Sequence, residues 1–489
     1  MNPMIVAQTG PRGASFLKNR EKLLAVELAW DHRTHPSGNA DERGLFEQRT
    51  HTRHTPIQIY KRKLIRKFFN KMNKVHIINL GCARNLVDSQ QIISTLKGRN
   101  CAVTDINRAD TVIVNTCAFV EDAKRESIDM ILDLLELKKE KKIKKVVIAG
   151  CLAQRYSREL AVEFKDADAI IGAMKLDPDS AGTDVRLTPN HYAYLKICES
   201  CFNCCTYCVI PSIKGKFVSR SMDSVLEEAK EIEAGGVREI NVIGQDITAY
   251  GIDLYKDKCL SELLRKLCAK IEKVEWIRLL YTYPSHITDS LIDTIANEPK
   301  ICKYIDVPLQ HINDTILKKM NRNMPRREIE ALISKLRKNI PGVGLRTTFI
   351  VGFPGETEEQ FKELLDFVKA VRFERLGVFP YSREEGTPAY DLPWQLPDKV
   401  KRARVDAIMK VQQEISAENN QAMVGRTIKV MIDEPADKET GSYFGRSEYD
   451  APEVDCGVLV NSARTLRPGD FVDVKIKNAF EYDIEGDVA

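Results

Sequence analysis

No run of this 489-residue chain approaches the roughly 20 consecutive apolar residues that a membrane-spanning helix needs, and its first residues lack a compact apolar core followed by a small-residue cleavage site. A soluble, unsecreted, cytoplasmic protein is therefore expected. Cysteine is too scarce for a disulfide scaffold: 13 residues at this length, an odd number, point to reduced thiols or metal ligands. A basic body is missing too. The net charge is +4, but residues 1–73 hold 14 Lys and Arg against 6 acids, which leaves the remainder at −4. What is present is ample apolar material, 43% of residues, in a chain long enough for two to four domains.

Residues 1–73 read as a poorly ordered basic extension, with a short helix possible around Phe16 to Ala29 and a basic amphipathic stretch from Lys61 to Lys71. Three similar units follow. Each is a short apolar strand ending in cysteine: Val75 to Cys82, Thr111 to Cys117 and Lys145 to Cys151, spaced by 35 and then 34 residues. Helical patterns such as Ala123 to Leu137 lie between them, so the period fits βα units of a parallel sheet over residues 74–185. Ligands bind beyond the carboxyl ends of such strands, where the three cysteines would meet.

A second βα series spans 186–423, with strands expected at Tyr194 to Ile197, Glu239 to Ile243, Trp276 to Tyr281, Tyr304 to Val307, Arg346 to Val351 and Arg375 to Val378. Six such units make a closed or partial barrel whose reactive face is again the carboxyl end of the strands. A charged helix from about Asp398 to Met423 leads to residues 424–489. There the short β-rich runs Thr427 to Ile432, Gly457 to Val460 and Phe471 to Ile476 suit a small antiparallel barrel.

The most specific motif follows the first barrel strand: Cys201-Phe-Asn-Cys204-Cys205-Thr-Tyr-Cys208. Cys201, Cys205 and Cys208 form C-x3-C-x2-C. Three thiolates on one loop can hold three irons of a [4Fe-4S] cluster and leave the fourth open to an amine and a carboxylate, as S-adenosylmethionine offers. A structural zinc loop would need a fourth protein ligand, and Cys204 is badly placed beside its neighbour. The residues alone leave Cys82, Cys117 and Cys151 open between cluster ligands and structural thiols. Cys101, Cys198, Cys204, Cys259, Cys268, Cys302 and Cys456 read as structural.

From Val75 onward the chain resembles the radical S-adenosylmethionine methylthiotransferases. The resemblance implies an N-terminal parallel α/β domain, a central partial (β/α)6 barrel and a TRAM-like terminal barrel. It also implies a second [4Fe-4S] cluster on Cys82, Cys117 and Cys151. Tyr207 matches the aromatic beside the adenine of S-adenosylmethionine; Gln245, Gln310 and Glu356, in strand-end segments, are candidates for its polar groups, with ordinary turn chemistry as the alternative. Ala83, Arg84, Gln90 and Ser200 replace residues common in the family without removing a ligand.

Two branches of that family modify a tRNA adenosine beside the anticodon or an aspartate of ribosomal protein S-twelve. Gly445 to Asp455, Pro308 to Asp314 and Tyr381 to Gly386 resemble the second. Residues 424–489 carry 8 Lys and Arg against 14 acids, a poor match to RNA phosphates and a better one to a basic ribosomal protein. The implied chemistry is radical, since the aspartate β-carbon offers neither an acidic hydrogen nor a leaving group. An electron donor such as flavodoxin or ferredoxin and a sulfur donor are implied partners. The alternative from another class is a non-enzymatic iron-sulfur redox sensor or scaffold.

Overall fold

The computed structural model describes residues 74–97, 101–179, 182–183, 185–437 and 441–489; the helix expected near Phe16 and the Lys61 to Lys71 stretch lie outside the described residues. The first unit is a parallel sheet of β1 (Lys74–Asn79), β2 (Ala102–Val103), β3 (Thr111–Thr116), β4 (Lys145–Gly150) and β5 (Ala169–Ile171), ordered β2-β1-β3-β4-β5. Its three central strands are the three expected from the repeat. β3 is apolar at Val112, Ile113 and Val114, all fully buried, as a strand covered on both faces must be. Helices Ala83–Lys97 and Glu121–Lys139 return the chain between strands.

The second sheet is all-parallel and sequential: β6 (Tyr192–Lys196), β9 (Glu239–Ile243), β10 (Trp276–Leu279), β11 (Ile301–Asp306), β12 (Gly344–Val351) and β13 (Arg375–Pro380). It is a partial barrel, with β6 and β13 as its edges. A ribbon of β7 (Cys198–Glu199) and β8 (Val218–Ser219) frames the cysteine loop between them. Helices such as Met222–Ala234 and Glu358–Val371 pack outside. Thr357 closes the start of the latter by a capping box with Gln360, while Ser221 caps the former, which ends at Gly235.

Inside the sheet lie Tyr192, Tyr194, Trp276 and Tyr304, in one apolar cluster with Met431 and Ala451 from the terminal domain and Val87 from helix Ala83–Lys97. All three units thus meet in one shared apolar cluster, beside cores of their own. The terminal domain closes as β14 (Thr427–Asp437), β15 (Ser442–Ser447), β16 (Val458–Asn461), β18 (Ile484–Val488) and β17 (Phe471–Ala479). It departs from the expected antiparallel barrel in one pair, since β16 and β18 run parallel. The chain must therefore cross over between them, and β17 with its turns supplies that crossing.

Segment 446–455 inserts at the amino end of the partial barrel. Arg446 pairs with Glu239 at 2.8 Å and with Asp433, and Arg278 donates to Glu239 at 2.8 Å and to the Glu448 carbonyl at 2.5 Å. Asp450 meets Arg375 at 2.5 Å, and Asp455 accepts from Tyr304 Oη at 2.6 Å and pairs with Arg346 at 3.3 Å. Glu453 accepts from Tyr192 Oη at 2.7 Å. Three of the acids counted toward substrate attraction, Asp433, Asp450 and Asp455, are consequently spent inside the molecule. Net charge overstated what residues 424–489 can offer a partner.

Candidate functional site

All six predicted cysteines stand at carboxyl ends of parallel strands. Cys82 precedes helix Ala83–Lys97, its carbonyl accepting from Leu86 N at 3.1 Å; Cys151 is the first residue of helix Cys151–Arg155; and Cys117 follows β3, its N–H donating to Ser127 Oγ at 3.0 Å. Gly81 lies at φ 92°, and a Cβ there would sit 2.9 Å from Cys117 Cβ, so Cys82 and Cys117 approach because position 81 has no side chain. Asn85 ties the three segments together. Its Nδ2 donates to the carbonyls of Leu80 at 2.9 Å and Thr116 at 3.2 Å, and Cys151 Sγ donates to its Oδ1 at 3.6 Å.

The second trio lies on the loop between β7 and β8. Asn203 donates to Cys201 Sγ through Nδ2 at 3.2 Å and through its backbone N–H at 3.4 Å, and Nδ2 is itself held by Asp246 at 2.8 Å. His286 Nδ1 meets the same carboxylate at 2.8 Å, and Phe202 stacks on the His286 ring. The middle of the loop is fastened elsewhere: Thr206 N donates to Met320 O at 3.0 Å, and Asn321 Nδ2 to Cys204 O at 2.7 Å. Cys204 points outward and is exposed, which leaves Cys201, Cys205 and Cys208 as the inward set.

Burial pushes the thiols of Cys117 and Cys201 up to about 11 and those of Cys151 and Cys208 up to about 12. Cys82 goes the other way: burial would raise it, but Arg84, through its charge and a 3.3 Å hydrogen bond, holds it below the ordinary thiol value. Buried thiols that resist ionisation need a cation to displace their protons, as metal clusters do. Among the described residues no group of three or more His, Cys, Asp or Glu closes around a single ion. The fit to a cluster rests on six thiols gathered in two trios at one face, plus two buried acceptors without a partner, Gln245 Oε1 and Gln310 Oε1.

Arg84 lies between the trios. Its charge opposes the rise that burial causes at Cys117 and Cys208 and, at Cys82, overcomes it, and its NH1 donates to Gly244 O at 3.1 Å. A buried charge quartet sits close by. Lys196 and Lys214 both pair with Asp88 and Glu199, at 2.5, 2.8, 2.7 and 3.5 Å, joining the first sheet's helix to the barrel. Burial alone would raise the Glu199 carboxyl; the two lysines hold it down to about 2. Gln245 donates to Glu199 at 2.5 Å, so its amide is oriented by this quartet.

The four expected cofactor contacts divide. Tyr207 is half-buried against Ile316, Met320 and Phe353, and Gln245 and Gln310 keep their carbonyl oxygens unpaired. Glu356 is different. Its carboxylate accepts from the backbone of Gly352 and Phe353 and pairs with Arg404 at 3.0 Å, so it also holds the strand-end loop in shape. Burial nevertheless lifts it to about 7. Asn85, Asn203 and Asp88 hold these segments together and were not anticipated, because each acts through contacts between segments far apart in the chain.

His311, in the same strand-end segment as Gln310, is fully buried, and its Nδ1 accepts from Asn313 N at 2.9 Å, which fixes the neutral ring. Burial, with Arg404 adding to it, drives its pKa down to about 3. The unfolded chain's histidine takes up a proton below about pH 6.5, the folded one does not, so stability is lost as pH falls from there toward 3, by up to about 1.4 kcal/mol per unit. Urea midpoints at pH 7.5 and 5.5 should fall apart in the wild type and converge in His311→Gln. An equal drop in both proteins removes His311 as the cause.

Comparison with known proteins matches these units one by one. The model of the Radical SAM superfamily covers residues 195–368, that of Uncharacterized protein family UPF0004 residues 74–172, and that of the TRAM domain residues 424–489. Ribosomal protein uS12 methylthiotransferase RimO of Desulforamulus reducens is 46% identical over 444 residues, 86% of this chain and 100% of that protein. The protein of that name from Caldanaerobacter subterraneus subsp. tengcongensis is 48% identical over 441 residues, covering 85% and 100%. That of Geobacter sulfurreducens is 44% identical over 445 residues, covering 86% and 99%. Family models that take in both thiol trios, most of the barrel strands and the terminal plug, together with relatives 44 to 48% identical over most of the chain, leave one assignment: the chain belongs to the ribosomal protein uS12 methylthiotransferase family, radical S-adenosylmethionine enzymes that use a [4Fe-4S] cluster.

Proposed function

We propose that this chain methylthiolates ribosomal protein uS12, placing sulfur on the β-carbon of an aspartate, and that it does so with two [4Fe-4S] clusters. The observation that carries the substrate is the likeness, at 44 to 48% identity and over nearly their full length, to proteins named for that reaction. The observation that favours two clusters is the pair of inward thiol trios at one face, with Arg84 joining Cys82 of the first to the barrel loop at Gly244.

Cys201, Cys205 and Cys208 would hold the cluster that reduces S-adenosylmethionine, and Cys82, Cys117 and Cys151 the one that supplies sulfur when bound. The chain's own part is placement. Asn203, oriented by Asp246, keeps Cys201 pointing inward; Asn85 keeps the three strand-end segments in register; Gln245 and Gln310 present acceptors for the ammonium of the methionine portion. The aromatic lumen and the 446–455 plug shut the far end of the barrel against water, which protects any reactive carbon centre at the open end.

Mass spectrometry of uS12 from cells with and without this gene tests the reading. A methylthio increment on one aspartate that disappears with the gene and returns with a plasmid copy is expected. Loss of a methylthio-adenosine from tRNA instead would move the chain to the tRNA branch, and loss of neither would favour a non-enzymatic role.

A further inference from the structure

Two arginines from unrelated parts of the chain make the same three contacts. Arg84, on helix Ala83–Lys97, lies 4.3 Å over the Tyr281 ring, donates to Cys82 Sγ at 3.3 Å and to the carbonyl of Gly244 at 3.1 Å. Arg322, just after helix Asp314–Lys319, lies 4.2 Å over the Tyr283 ring, reaches Cys205 Sγ at 4.0 Å and donates to the carbonyl of Pro308. Each therefore stacks on a tyrosine, touches one thiol of one trio and fastens to a strand-end loop of the barrel. The two tyrosines are two residues apart on one segment.

That segment is held with unusual firmness. Tyr281 sits at φ 67°, a left-handed conformation that side chains other than glycine avoid. Its N–H donates to Asp306 Oδ2 at 2.9 Å and its carbonyl accepts from Ile247 N at 3.1 Å. Thr282 bonds the Asp306 carbonyl twice, at 3.1 Å through N and 2.6 Å through Oγ1, and Tyr283 N donates to Thr248 Oγ1 at 3.1 Å. A strained conformation persists only where its surroundings over-determine it. Here the ends of two neighbouring strands, β9 and β11, do so.

We propose that segment 281–283 is a common brace for the two trios, and that Arg84 and Arg322 are positioning residues, each supplying positive charge and an N–H donor to the cluster held by one trio. The inference rests on the two-cluster reading above. Its physical basis is general: hydrogen bonds to cluster sulfurs and nearby cations favour the more negative, reduced state and so raise the reduction potential. Stacking on tyrosine fixes the plane of each guanidinium, so its charge stays at one place.

The test uses the full chain loaded anaerobically with iron and sulfide. Iron per chain and the midpoint potential of each cluster, followed by electron paramagnetic resonance, are measured for the wild type, Arg84→Met, Arg322→Met and the two Arg→Lys variants. Arg322→Met should bind full iron and shift the Cys201 loop cluster to a more negative potential, with Arg322→Lys restoring most of the shift. Arg84→Met should do the same to the Cys82 trio's cluster and alter the loop cluster less. Full iron with unmoved potentials in both Met variants would overturn the proposal and leave the arginines as domain fasteners. Should a Met variant lose its iron, its Lys variant decides: charge retained and potential near wild type supports the proposal, while a negative shift in spite of the charge overturns it. A wild-type chain that binds only four irons overturns the two-cluster reading itself, and Arg84's part with it, while Arg322 is still judged on the remaining cluster.

Discussion

Cys205→Ala should abolish both deoxyadenosine formation from S-adenosylmethionine and methylthiolation, a loss of several orders of magnitude in each. Cys205 is one of only three inward thiols on its loop, and exposed Cys204, whose Sγ is turned to the Phe202 carbonyl at 3.6 Å, is no substitute. Cys117→Ala should behave differently. It removes a ligand from the other trio, on a strand end anchored by Ser127, and leaves the Asn203, Asp246 and Arg322 contacts of the loop trio in place. Deoxyadenosine should therefore still form, uncoupled from product, while methylthiolation falls below detection. A Cys117→Ala enzyme that still transferred the methylthio group would refute the division of labour between the trios; one that lost deoxyadenosine formation as well would show that the trios are not separable.

The cysteines and the strands were legible because both signals are local. An apolar run that ends in cysteine every 34 or 35 residues declares a βα repeat, and C-x3-C-x2-C places three thiols on one loop after the first barrel strand. What surrounds the thiols was not legible. Arg84 stood out only as a departure from a family habit, yet it spans from Cys82 to Gly244, 160 residues away in the chain. β15 escaped because Ser442–Ser447 has only Tyr443 and Phe444 as apolar residues, side by side and without alternation, before Gly445 and Arg446, and β18 because Ile484–Val488 is broken by Gly486 and charges; both are strands through their partners. The three motifs that resemble the ribosomal-protein branch turn out to work inside the fold. Glu384 of the 381–386 segment sits between Lys124 at 3.2 Å and Arg155 at 2.6 Å, Asn313 caps helix Asp314–Lys319, and 446–455 plugs the barrel.

The tightest of those contacts makes the second large prediction. Glu239, the first residue of β9, is fully buried with Arg278, and with Arg446 it completes a set in which two carboxylates, Glu239 and Asp433, balance two guanidiniums. Arg278 has no route to solvent, so Glu239→Leu leaves it charged and without its carboxylate, a cost of about 3–5 kcal/mol. That is a large share of the ~5–15 kcal/mol that keeps a domain folded. Because Arg278 also donates to the carbonyls of Ser447 and Glu448, the damage should appear first as release of the terminal domain. Limited proteolysis should cut between residues 424 and 457 in the variant and spare the wild type, and the urea midpoint should fall. Pairing Glu239→Leu with Arg278→Met removes both charges and should recover a good part of the loss, since an apolar pair costs less than a buried orphan ion. If the single variant matched the wild type in both assays, the Glu239 pairings would be incidental to docking. The plug lies at the amino end of the strands and the thiols at the carboxyl end, so iron content should survive in Glu239→Leu at temperatures where the terminal domain has already come away; simultaneous loss would mean that the shared core of Tyr192, Tyr194, Trp276, Met431 and Val87 makes the three units unfold as one.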